Sequence, residues 1–129
     1  MHPRIAAAIN DIESTFADHE VTHAELADGS VWVTVARVDF GLGWVPRAGD
    51  LTVKLAPTFP DSGPYPWYLP AGIRRDDAIP VDRITPVNVD GTDRAQLSVN
   101  GPWSPGDSLG ARVVGVLHWL RAHAQARAS

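Results

Sequence analysis

Five prolines, Pro57, Pro60, Pro64, Pro66 and Pro70, fall within 14 positions and are interleaved with Phe59, Tyr65, Trp67 and Tyr68. Each proline fixes φ and removes a backbone donor, so residues 57–70 cannot form a regular helix or a central strand. Four large aromatic rings also rule out a flexible tether, which would be rich in Gly and Ser. The segment therefore reads as an ordered crossing loop packed onto a sheet, with one short strand at 67–69. Just before it, Leu51, Val53 and Leu55 alternate with Thr52, Lys54 and Ala56, the pattern of a strand with one wet face.

The other elements follow from periodicity. Ile5, Ile9, Ile12 and Phe16 recur at helical spacing behind Pro3, which predicts a helix over 3–17. Residues 21–27 enter Asp28-Gly29, a two-residue hairpin signal. Residues 31–40, rich in Val, Trp, Thr and Phe, read as a central strand. Gly41-Leu42-Gly43 and residues 46–49 form a looser connection to the strand at Leu51, completing an antiparallel meander of three strands. Residues 71–96 are polar and predict a long irregular loop with short extended pieces near Arg83-Ile84 and at 95–99. Leu109, Val113, Val116, Leu117 and Leu120 mark one face of a final helix, capped by Asp107 or Ser108. The polar tail from His123 to Ser129 is expected to fray. The fold class is α+β: N-terminal helix, antiparallel β-meander, Pro/aromatic crossing loop, long loop and C-terminal helix.

Composition bounds what such a domain does. A chain of 129 residues suffices for one domain with a true core. A formal charge of -4 with scattered arginines disfavours nucleic acid, which needs a concentrated basic face. No apolar run approaches a membrane span, and Met1-His2-Pro3-Arg4 does not open a signal peptide, so a cytoplasmic protein is expected. The absence of cysteine excludes disulfides and thiol catalysis from this sequence. The Ala-, Val- and Arg-rich composition fits a GC-rich bacterial source.

The passage from Leu51 to Leu55, then Phe59-Pro60, Tyr65-Pro66 and Leu69-Pro70, followed by a long loop, Gly91, Trp103-Ser104-Pro105 and Leu109, resembles the ubiquitin-conjugating (UBC-like) family. The Gly-rich connection from Gly41 to Gly49 sits where that family has a comparable turn, and the similarity spans residues 3–122. Bacterial relatives of the fold, encoded beside ubiquitin-activating-like or deubiquitinase-like partners, are nearer in kind than the eukaryotic enzymes. The resemblance implies a helix, a meander and an active-site stretch before the next helix.

The departures from that pattern decide the expected chemistry. The resemblance puts the family's cysteine at Ala95 or at its neighbour Arg94, and neither forms a thioester. A thiol of pKa ~8.5 supplies thiolate near neutrality and leaves readily in acyl transfer; the hydroxyls of Thr92 and Ser98 do neither without a base. The family's His-Pro-Asn signature is matched here by Thr85-Pro86-Val87-Asn88, which lacks the histidine and displaces the asparagine that would help an oxyanion. The resemblance therefore implies a noncatalytic variant with no catalytic residues and no cofactor. Such a module docks a ubiquitin-like protein or an adenylating-enzyme-like partner in a bacterial conjugation or defence pathway. Its candidate binding residues are Phe59, Tyr65, Trp67, Tyr68 and Trp103. Aromatic side chains of this size suit either interface anchors or the closure of a small core.

Other candidates read as ordinary surface. His19 and His23 would share one side of a strand, but a third metal ligand is missing, and no metal site is expected. His118 and His123 fall outside the apolar stripe of the last helix. Ser98 has no Gly-x-Ser-x-Gly context and Gly101-Pro102-Trp103 no phosphate-loop lysine. Asp76, Asp77, Asp82, Asp90 and Asp93 read as a solvated acidic loop. A second function class remains: a small enzyme or ligand-binding domain using noncysteine residues of the 71–98 loop, such as Asn88, Asp90 and Arg94. A docking module needs a shallow apolar patch with a polar rim, whereas a ligand site needs a concave pocket where titratable groups converge.

Overall fold

The structure is a computed structural model that describes residues 1–125. In chain order the elements are α1 (Pro3–Thr15), β1 (Val21–Glu25), β2 (Val31–Asp39), β3 (Trp44–Val45), β4 (Ala48–Leu55), β5 (Trp67–Pro70), β6 (Arg74–Arg75), β7 (Ile84–Val89), β8 (Thr92–Leu97) and α2 (Leu109–Ala122). Six strands form one antiparallel sheet in the order β1-β2-β4-β5-β8-β7, and β3 pairs with β6 in a small second sheet. This is the α+β class expected, with a helix at each end of the chain and an antiparallel sheet between them. Among the described residues no helix is long and apolar enough to cross a membrane.

Strand alternation sorts the side chains. Val31, Val33, Val35, Leu51, Val53, Leu55, Trp67, Leu69, Ala95 and Leu97 are buried and join one cluster. The same cluster contains Ile5, Ile9 and Ile12 of α1 and Leu109, Val113, Val116, Leu117 and Leu120 of α2, the apolar stripes read from the sequence. The opposite face carries Trp32, Thr34, Thr52, Tyr68, Arg94 and Gln96, the alternate positions of the same strands.

The two helices meet where Asp11 of α1 takes hold of the start of α2. Its Oδ2 accepts from Ser108 Oγ at 2.6 Å and from Gly110 N at 2.9 Å, while Ser108 Oγ accepts from Ala111 N at 3.1 Å. The N-cap is thus shared between helices, satisfying donors that a helix start leaves open. The far end of α2 is held by Trp44 in β3, whose Nε1 donates to Leu120 O at 2.8 Å.

Four features depart from the sequence reading. The 71–96 segment is not an irregular loop: β6, β7 and most of β8 lie within it, and β7 and β8 form a hairpin closed at Asp90-Gly91. Both turn residues have positive φ, 51° and 83°, the requirement of a tight hairpin turn. Pro86 is tolerated in β7 because β7 is an edge strand. The Asp28-Gly29 connection is longer than two residues: Leu26 N donates to Ser30 O, Gly29 N to Leu26 O, and Gly29 takes φ 89°. The connection at 41–49 contains β3 and the first residues of β4. Finally, α1 ends at Thr15, short of the predicted 17, whereas α2 ends at Ala122 with His123 as its cap; of the tail expected to fray from His123 to Ser129, the part beyond Gln125 lies outside the described residues.

The helix contact generates a contrast between two glycines of α2. A Cβ on Gly110 would stand 2.2 Å from Thr15 Oγ1 and 3.0 Å from Thr15 Cβ, whereas one on Gly115 meets nothing within 4 Å. Gly110→Ala is expected to destabilise by about 1–3 kcal/mol through overpacking. Gly115→Ala is expected to stabilise by up to about 1 kcal/mol through helix propensity. Urea or thermal unfolding of the two variants checks both signs.

Candidate functional site

The face of the sheet turned away from the helices is concave. Trp32 of β2 and Tyr68 of β5 stack with ring centroids 5.1 Å apart and planes within 5°. Their strands are separated by β4, so in a flat sheet they would stand about 10 Å apart. A cavity of about 290 Å³ is lined on one side by Thr22, His23, Ala24, Leu26, Trp32 and Thr34, and on the other by Val89, Asp90, Thr92 and Arg94. β1 and β8 are four strand spacings apart, about 19 Å in a flat sheet. One cavity can touch both only because the sheet rolls and the β7–β8 hairpin overhangs β1 and β2. A bulge between Val35 and Val38, with Arg37 at φ 53°, adds twist to β2.

Arg94 is the charged centre of this face. Its guanidinium carbon lies 5.2 Å from the Trp32 ring centroid and 6.0 Å from that of Tyr68. Stacking of this kind suits Arg, whose planar cation is weakly hydrated. Among the described residues no carboxylate lies within 4.0 Å of it, since the ion pairs are Met1–Glu25, Arg47–Asp39 and Arg75–Asp77. Two donors on this face are buried without a protein acceptor, Arg94 Nε and Trp32 Nε1. By contrast the indoles of Trp44 and Trp103 donate to Leu120 O and Pro60 O. A buried donor left unpaired costs about 1–3 kcal/mol; among the described residues Arg75 Nε is the third such atom, away from this face.

The neighbours hold this arrangement. Thr34 and Thr52 share a hydrogen bond of 2.8 Å beneath the rings. Asn88 pins the hairpin tip: its Nδ2 donates to Asp93 Oδ1 at 2.9 Å, and its Oδ1 accepts from Gly91 N at 3.1 Å. The amide read from the sequence as a remnant of an oxyanion group is thus committed to the turn that carries Asp90. Burial pushes the Tyr68 phenol above its ordinary pKa; Arg94 opposes the rise, while Tyr65 and Asp90 add to it.

The five aromatics singled out from the sequence do not come together on one surface. Phe59 and Trp67 are buried in the core, Trp67 at 1 % exposure. Tyr68 is buried on the concave face against Trp32. Trp103 is half-buried, with its ring 5.7 Å from Phe59 and Arg112 over it at 5.5 Å, and it fastens the crossing segment to the entry of α2. Only Tyr65, at 38 % exposure, offers much of its surface to solvent. The two positions matched to the family's cysteine separate as well: Ala95 points into the core at 4 % exposure, and Arg94 lies on the concave face. Of the histidine pair, His19 precedes β1 and its Nδ1 lies 2.9 Å from Ala36 O, while His23 borders the cavity but stands opposite Val33, on the core side of the sheet.

Trp32 was not among the sequence candidates, although the signal was present. Val31, Val33 and Val35 set the core face of β2, which leaves Trp32 on the face a strand gives to water, an unusual place for the largest side chain. Compared with known proteins, the chain matches no family model, no curated protein and no solved structure.

The raised pKa of Tyr68 gives a pH prediction. The folded state holds the phenol neutral, so its contribution to stability is complete below the unfolded value near ~10 and is lost as pH rises through the higher folded value. Wild type should therefore lose stability between about pH 10 and 11 faster than Tyr68→Phe. Urea unfolding at pH 8, 10 and 11 measures the difference, and parallel losses in both proteins would refute it.

Proposed function

We propose that this chain is a binding domain of UBC-like architecture whose recognition site is the concave face of the rolled sheet, and that it holds a ligand without covalent transfer. The observation that carries the reading is the cavity lined by β1, β2 and the β7–β8 hairpin, which holds Arg94, without an ion-pair partner among the described residues, 5.2 Å from the Trp32 ring. Of the two requirements set by the sequence, a pocket where titratable groups converge is supported here by Asp90 and Arg94. The region expected to serve a ligand site, residues 71–98, supplies one whole wall.

Binding rather than acyl transfer follows from the nucleophiles on offer. A thiol at position 95 would lie under the helices among core side chains, out of reach of a macromolecular acyl donor. The hydroxyl groups on the concave face are ordinary ones, and Thr34 spends its own on Thr52. Tyr68, buried and with its pKa raised, stays a neutral phenol near pH 7.

A second reading rests on a different surface. Leu42 at 71 %, Ile79 at 48 % and Val45 at 39 % exposure lie in or beside the segments around the β3–β6 sheet, next to a hollow of about 290 Å³ lined by Trp44, Ile73, Pro80 and Val81. Such a patch is what a docking module for a ubiquitin-like protein or an adenylating-enzyme-like partner would present, in the conjugation or defence setting that the resemblance implies.

The two readings have separate tests. In ¹⁵N-labelled protein each of the five tryptophans gives one indole N–H signal. Screening small metabolite-sized compounds should move the Trp32 signal selectively and saturably, with those of Trp44 and Trp103 unchanged. If no compound at millimolar concentration does so, the ligand reading is wrong. For the docking reading, titration with a purified ubiquitin-fold protein should give binding that Ile79→Ser weakens about tenfold or more and Trp32→Phe leaves intact. Equal binding by Ile79→Ser would remove that surface from consideration. Trp67→Ala serves neither test, because emptying that core position costs about 3–5 kcal/mol.

A further inference from the structure

Several hollows mark the surface, and their polar groups differ in one respect. The largest, about 490 Å³, lies along α2 and contains Arg112, whose guanidinium already donates to Pro102 O and covers Trp103. A hollow of about 330 Å³ between the helices contains Asp11, already committed to Ser108 and Gly110. Arg75 is buried and paired with Asp77. Arg75 Nε is also a buried donor without an acceptor, and Arg94 also borders a hollow of about 440 Å³ with Asp50 and Asp93; the Trp32–Arg94 cavity joins a cation that, among the described residues, has no ion-pair partner to a second unpaired donor.

We infer that this cavity recognises a carboxylate group on a small ligand with an apolar body. The inference rests on the ligand-binding reading above and adds the chemical class. Both unpaired atoms, Trp32 Nε1 and Arg94 Nε, are donors, so the missing partner is an acceptor. Arg94 carries a full positive charge, so the acceptor that gains most is an anion. A carboxylate offers two oxygens on one carbon, and a guanidinium matches it in plane. The guanidinium carbon lies 5.2 Å from the indole centroid, and both residues line the same cavity.

Charge balance separates a carboxylate from a phosphate. Asp90 lines the same cavity. A carboxylate's single charge is matched by the single cation Arg94; for a phosphate dianion the attraction to Arg94 and the repulsion by Asp90 both double, and its second charge finds no cation among the lining residues. Ala24, Leu26 and Val89 supply apolar wall, and the indole supplies a flat floor. At about 290 Å³ the cavity falls at the small end of ligand sites, which sets the occupant at metabolite rather than drug size.

The test compares isosteric probes on the intact protein. Benzoate, benzamide, acetate and inorganic phosphate are titrated while the Trp32 indole signal is followed, with Trp32→Phe giving its assignment. A further pair, one short peptide with a free and with an amidated C-terminus, asks whether the carboxylate comes from a free molecule or a chain end. The expected result is saturable movement by benzoate, about tenfold or more tighter than by benzamide, and loss of that preference in Arg94→Gln. Arg94→Lys keeps the charge without the fork and should retain only part of it. Stronger binding of the free-ended peptide than of benzoate assigns the source to a chain terminus. Equal affinity for benzoate and benzamide would overturn the carboxylate assignment while leaving ligand binding intact. A preference that survives in folded Arg94→Gln, or tighter phosphate than benzoate binding, would overturn it as well.

Discussion

The stacking of Trp32 on Tyr68 across the intervening strand β4 is the contact on which the character of this molecule depends. Rings that bridge two strand spacings hold the sheet rolled, and a rolled sheet has two unlike faces. The convex face is a conventional core, with branched aliphatic side chains on the strands against two amphipathic helices. The concave face must accommodate polar alternate positions in a space that the β7–β8 hairpin partly closes. Side chains there lose water without gaining the apolar packing of a core, and polar groups so placed need partners. Threonines find each other, as Thr34 and Thr52 do. Trp32 Nε1 and Arg94 Nε do not.

How much of this was legible in the sequence depends on how local each signal is. The three isoleucines of α1 and the five aliphatic positions of α2 stand at fixed helical spacing, and all eight are buried. The crossing segment also reads correctly, because proline chemistry excludes regular structure whatever surrounds it. The β7–β8 hairpin was hidden by composition: Thr, Asp, Arg and Asn dominate strands that keep one edge and much of one face in water. Its turn signal, Asp90-Gly91, is the same dipeptide that marked the first hairpin at Asp28-Gly29. A polar edge hairpin announces itself by its turn rather than by its strands.

The site was less legible than the fold for a physical reason. Arg94 could be singled out through its neighbour Ala95, the position that the resemblance matches to a cysteine, and as one polar residue of the 71–98 loop, but not by what surrounds it. Its actual environment comes from residues about 60 positions earlier in Trp32 and 26 earlier in Tyr68, joined only once the strand order β2-β4-β5-β8 is known. Likewise the aromatics of the crossing segment gave no clue to their own division. Trp67 and Tyr68 are adjacent, and strand alternation sends one into the core and the other onto the concave face.

That alternation also shapes the chemistry available at positions 94 and 95. In an acyl-transfer enzyme the reactive side chain must meet a bulky donor and acceptor in turn, which demands exposure. The register Pro70↔Arg94 and Leu69↔Ala95 gives position 95 to the core and position 94 to the recessed face. Changing Ala95 alone to a nucleophile would bury it; shifting β8 by one residue to expose it would turn Leu97 outward and send Arg94 and Gln96 inward. The cost of burying a guanidinium among aliphatic side chains locks the register, so the same pairing that places a cation beside an indole also withholds position 95 from a large substrate. A cation beside an indole on one face and a buried position 95 on the other are thus two consequences of a single strand alignment.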